Sequence, residues 1–102
     1  MEPIGDFVNN IPAWGFLLIH VVLFIIGAYF AWRSFGANQS TLGWAFTLYA
    51  LAEIVYMTYH LNWTVFLFAH TIAEVLDLIA FTLVFVAATR TVIATGREPS
   101  RA

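Results

Sequence analysis

Five side chains able to carry protons or ligate a metal stand inside long apolar runs: His20, Glu53, His70, Glu74 and Asp77, with His60 at the edge of one run. Neutral imidazole beside carboxylate suits Cu, Fe or Zn, imidazole also suits haem, and the same groups build proton relays. Their spacing is helical. His70, Glu74 and Asp77 fall at i, i+4 and i+7, one stripe of one helix face, which Trp63, Phe81 and Ala88 extend. Tyr49, Glu53, Tyr56 and His60 form a similar stripe on the preceding run. Tyr49, Tyr56 and His60 are therefore read as outer neighbours of the network. Two absences narrow the chemistry. No cysteine is present for a thiolate site, a thiol nucleophile or a disulfide, and no H-E-x-x-H pair marks a zinc protease.

A charge at the bilayer centre costs about 2.5–3.5 kcal/mol on the insertion scale, so each intramembrane carboxylate needs a partner or a proton. Four readings satisfy the cluster. The acids can be protonated and glue helices together through His20, His70, Tyr49 and Tyr56. An arginine or backbone group of a neighbouring subunit can complete the network. The cluster can bind a transition metal (Cu, Fe or Zn) or haem. It can relay protons or cations in a homo-oligomeric carrier. Two of the histidines also have a plainer reading, His60 as a solvated loop residue and His20 as hydrogen-bonded packing, whereas the His70, Glu74 and Asp77 stripe is harder to dismiss because surface solvation is closed to it.

The elements that must position these residues follow from composition. The chain has 102 residues, 62% hydrophobic and 10% charged, with four Lys+Arg and no lysine; its mean hydropathy is +0.85. Soluble domains carry about 25% charged residues, so this chain cannot coat a globular surface with polar groups. A soluble enzyme, a nucleic-acid binder and a disordered tail are excluded, and an integral membrane class is expected. The expected fold is a single all-α domain, residues 1–102, of three transmembrane helices at about 12–35, 41–59 and 63–91, each near the 20-residue spanning length. Asn10 with Pro12 opens the first helix and Gly36 closes it. Ser40 or Thr41 caps the second, Asn62 caps the third and Gly96 follows it. The four-residue turn His60–Trp63 makes the last two helices a tight outer hairpin. Glu2 and Asp6, with no basic residue before Pro12, argue against a cleavable signal peptide. The tail from Gly96 to Ala102 is expected to be flexible.

Trp14 and Trp32 bracket the first helix, and Trp44 and Trp63 the second, each pair about 27–28 Å apart as helix, which fits two aromatic belts anchoring the chain at the interfaces. Arg33, Arg90, Arg97 and Arg101 share one side if the N-terminus is outside and the C-terminus cytoplasmic. On the first helix Gly27, Ala31 and Ser34 follow His20 as a small-residue row for close helix packing. With little chain outside the spans to hold an active site, no catalytic residue is assigned. The expected role is a small non-catalytic subunit of a larger membrane complex of the respiratory, photosynthetic or metal-dependent oxidase or monooxygenase type. Its partners would be other integral membrane subunits and the lipid bilayer, with no nucleic acid. The rivals are a homo-oligomeric proton- or cation-coupled small transporter and a membrane metal- or haem-binding protein.

Overall fold

The computed structural model describes residues 4–96. The expectations for Glu2, for Arg97 and Arg101 and for the tail beyond Gly96 lie outside the described residues. A short 3-10 turn at Asp6–Asn10 precedes three α-helices: α1 (Ala13–Gly36), α2 (Ser40–His60) and α3 (Phe66–Gly96). The turn is tied by Asn9 Nδ2 donating to Asp6 Oδ1 at 2.8 Å. Ile11 closes it, its N–H donating to Val8 O, and Pro12, extended at φ −67°, caps the start of α1, where its missing N–H costs nothing.

Both links between helices are closed by an asparagine in place of glycine. Asn38 and Asn62 adopt φ of 61° and 65°, the left-handed region that asparagine visits more readily than most residues. At each, paired backbone bonds close a Schellman cap: Asn38 N–H to Phe35 O and Gln39 N–H to Ser34 O, then Asn62 N–H to Tyr59 O and Trp63 N–H to Thr58 O. Asn62 therefore terminates α2; it does not cap α3, which begins at Phe66 after a five-residue link, Leu61–Val65. Gly36 is the last helical residue, and Asn38 makes the left-handed turn after it. Trp63 lies beyond the end of α2, so the helical rise from Trp44 to His60 is about 24 Å.

α1 and α3 are long and apolar enough to cross a membrane. α2 has the length, at 21 residues, but Ser40, Thr41, Gly43, Thr47, Glu53, Thr58 and His60 keep it below the apolarity of its neighbours. Its position explains the difference. α2 packs against both α1 and α3, while α1 and α3 make no close backbone approach to each other. The three helices form a row with the least apolar one in the middle.

Contact between the helices is made by small side chains. The buried positions are Gly27 and Ala31 on α1, Gly43, Ala45, Ala50, Ala52 and Glu53 on α2, and Ala69, Ala73 and Ala80 on α3. Ser34, the third member of the α1 row, is half-buried. Among the described residues no large side chain is fully buried. Such interfaces suit a medium in which apolar bulk gains nothing by leaving the solvent, so helices associate through close backbone approach. Trp14, Trp32, Trp44 and Trp63 are all exposed.

Candidate functional site

The polar side chains meet on one face of the row, toward the end where α2 turns into α3. His20 on α1 and Glu53 on α2 are hydrogen-bonded, Nδ1 to Oε2 at 2.5 Å. Glu53 is 5% exposed, so its carboxylate is served inside the α1–α2 contact rather than by solvent. Among the described residues this is the one close acid–base pair.

Tyr56 joins the two helix contacts. Its ring stacks on His20 with centroids 5.1 Å apart, and its hydroxyl donates to Glu74 Oε1 across the α2–α3 contact at 3.0 Å. One tyrosine thus bridges an α1 imidazole and an α3 carboxylate that have no direct contact. Above it, His60 stacks on His20 at 5.3 Å and on Phe16 at 5.0 Å, the latter rings being parallel within 1°. A depression of about 320 Å³, lined by Asn9, Phe16, Tyr59, His60 and Asn62 among others, opens over His60 from the loop end.

His70 stands apart from the other two histidines. It is exposed, stacked on Phe66 one helical turn back at 5.2 Å and tilted toward Tyr56 at 6.5 Å. Among the described residues no three His, Asp or Glu side chains converge as a metal ion requires. The donor set anticipated for Cu, Fe, Zn or haem is therefore not assembled. The reason is the row itself: α1 and α3 are separated by α2, so His20 and His70 are held on opposite flanks of it.

Asp77 is the residue whose needs the chain leaves unmet. It lies within Coulombic range of Glu53 and Glu74, and its Oδ1 is buried with no hydrogen-bond partner. A buried polar atom left unpaired costs about 1–3 kcal/mol, and more if charged. Among the described residues no arginine relieves it. Arg90 lies about 20 Å farther along α3, where its Nη1 is 3.4 Å from Thr41 Oγ1.

One turn below Asp77 the same face opens into an apolar groove of about 360 Å³ between α1 and α3, over α2. Gly27, Ala45 and Ala80 form its floor, and Phe30, Phe46 and Phe81 stand among its walls. Tyr49 connects groove to network: it lines the groove and lies within Coulombic range of Glu53 and Asp77. It can lie there because Gly27 has no side chain; a Cβ at Gly27 would stand 2.9 Å from Tyr49 Cδ2.

The anticipated network residues thus divide into a His20–Glu53 pair, a Tyr56–Glu74 link and an unpaired Asp77, with His70 set apart among aromatic rings. The sequence reading missed Phe16, Tyr59 and Phe66, whose rings pack around the histidines. Of the groove floor it named Gly27 but missed Ala45 and Ala80. The spacing of Ala69, Ala73 and Ala80 at i, i+4 and i+11 carried a signal for the second contact surface, since those positions share a helix face. No protein-family model matches the chain, and comparison with curated proteins and with solved structures yields no significant match.

Proposed function

We propose that the chain is a three-span integral membrane protein, N-terminus outside and C-terminus cytoplasmic, that serves as a small non-catalytic subunit of a larger membrane assembly. The membrane reading is supported by how little of the apolar helices is covered. The most apolar windows of α1 and α3 are 6% and 11% buried within the chain, the reverse of a soluble core helix. α2 crosses with them as the shielded middle helix. The orientation is supported by Arg33 and Arg90, which lie at the end of the row opposite the His60 end.

The subunit reading rests on one observation: the backbones of α1 and α3 stand apart, so the face bearing Asp77 and the groove is left without a helix over it. Membrane helices keep ionisable groups toward a bundle interior or a wet cavity. A row of three has no interior; a neighbour supplies one. The test is purification of the tagged chain from its native membranes in a mild detergent. Other membrane polypeptides in fixed stoichiometry are expected, and a monodisperse homo-oligomer without them overturns the proposal.

A second reading, a homo-oligomeric carrier coupled to protons or cations, is favoured by the unpaired Asp77 oxygen lying near Glu53 and Glu74. It expects Glu74→Gln to abolish pH-dependent flux into liposomes with the fold intact. Unchanged flux removes it.

A further inference from the structure

The two faces of the row differ in kind. On α2, Ala45, Tyr49, Glu53, Tyr56 and His60 fall within one sector of roughly 80° at 3.6 residues per turn. On α3, Asp77, Ala80, Phe81 and Val84 fall within roughly 100°. Both sectors belong to the face with the groove. On the back of α2, Trp44, Leu51 and Ile54 are exposed. The hydroxyls of Thr47 and Thr58 there are already spent on the carbonyls of Gly43 and Val55. The back asks for nothing but lipid. The front holds an unpaired buried carboxylate oxygen above an open furrow.

We infer that the furrow between α1 and α3 seats one transmembrane helix of a different protein, and that this helix carries an arginine or lysine at the level of Asp77. The inference rests on the subunit reading and names the partner it requires. Helices in contact lie about 8–10 Å apart, so α1 and α3, each packed against α2, flank a furrow that a fourth helix can enter while touching all three. Its floor of Gly27, Ala45 and Ala80 admits close backbone approach. Charge decides the occupant. The ionisable groups whose charge reaches Asp77 are Glu53, Tyr49 and Tyr56 from α2 and Glu74 from its own helix, while the His20 imidazole of α1 is already bonded to Glu53. All but that imidazole are acidic or neutral, so the complement is a cation.

A second copy of this chain does not supply it. Asp77 lies about 16 Å into α3 from Phe66, near the middle of a ~30 Å hydrocarbon core. Arg33 and Arg90 stand about 20 Å along their helices from His20 and Asp77, so a like-oriented copy brings more acid to that level. A lipid chain fills the groove but leaves the carboxylate unpaired. A basic helix does both.

The full-length chain, labelled through Ala37→Cys (it has no cysteine of its own), is reconstituted in phosphatidylcholine vesicles. Association with acceptor-labelled leucine–alanine transmembrane peptides is read by energy transfer. One peptide carries a central arginine, one a central leucine, and one the arginine moved six residues toward an end. The central-arginine peptide is expected to associate at least tenfold more tightly than either other. Asp77→Asn is expected to reduce that advantage below twofold, Asp77→Glu to keep it, and Ala80→Phe, which fills the furrow, to weaken all three. Helicity by circular dichroism confirms that each variant is folded. Equal association of the arginine and leucine peptides, an arginine preference that survives Asp77→Asn, or self-association of the chain that excludes the peptides would each overturn the inference. The first two leave the copurification result, and with it the subunit reading, untouched.

Discussion

Replacing Gly27 by alanine tests whether the α1–α2 contact is set by backbone approach. Two effects oppose each other. Alanine is better than glycine in a helix by about 0.8–1.0 kcal/mol, which favours the variant. Against it, the new Cβ would stand 2.9 Å from Tyr49 Cδ2 and 3.3 Å from Ala50 Cβ. The obstructing atoms are the inner edge of a tyrosine ring and a neighbouring helix, neither of which can swing aside freely. Overpacking of this kind costs about 1–3 kcal/mol, so Gly27→Ala is expected to range from neutral to about 2 kcal/mol destabilised. Gly36 provides the reference. It is also helical, but a Cβ there meets nothing within 4 Å, so Gly36→Ala should gain up to about 1 kcal/mol. Subtracting the two variants removes most of the shared propensity gain and leaves the clash, about 1–3 kcal/mol, a five- to more than hundredfold difference in the unfolding equilibrium. The assay is reversible unfolding by sodium dodecyl sulfate in mixed micelles, followed by tryptophan fluorescence. Gly27→Ala equal to or more stable than Gly36→Ala would refute a contact set by close backbone approach at Gly27.

The His20–Glu53 pair should behave as a buried unit. Removing one partner from a buried pair typically costs about 3–5 kcal/mol, while replacing both with apolar groups costs far less; His20→Leu should therefore destabilise more than the His20→Leu/Glu53→Leu double variant in the same unfolding assay, and strict additivity would contradict the pairing. Asn62→Gly should be neutral to stabilising by up to about 1 kcal/mol, because glycine takes the left-handed φ freely, whereas Asn62→Val should lose about 1–2 kcal/mol. An equal effect of both on the unfolding midpoint would dispose of the Schellman cap. Tyr56→Phe keeps the stack on His20 and removes only the bond to Glu74, so it should cost about 1 kcal/mol and leave the fluorescence of the folded state unchanged.

Three helices of spanning length, and the faces on which the acids stand, were legible in the sequence because helical periodicity and the scarcity of charge are local properties. Boundaries came within about one residue at both ends of α1 and α2. They failed at α3, which starts three residues later and ends five residues later than expected; at its start Asn62 signals a cap in sequence, yet whether it starts one helix or ends another depends on its φ, which only the folded turn sets. α2 was given the same standing as its neighbours, although its threonines, glycine and acid mark a helix shielded on two flanks.

What the sequence could not settle was which stripe meets which. The His20–Glu53 bond joins residues 33 positions apart, and nothing in either helix alone specifies it. The stripes on α2 and α3 do meet, through Tyr56 and Glu74, but Glu53 turns the other way, to α1, and His70 is left among aromatic rings. The fold also decides that α1 and α3 stand apart, which separates the histidines expected to share a ligand and leaves Asp77 unpaired. In the proposed membrane setting the physical cause is the weakness of nonspecific attraction between apolar helices in lipid: bulk hydrophobicity fixes that helices form, while small-residue fit and a few polar bonds choose their neighbours. Composition and periodicity carry the first kind of information, and only the packed structure carries the second.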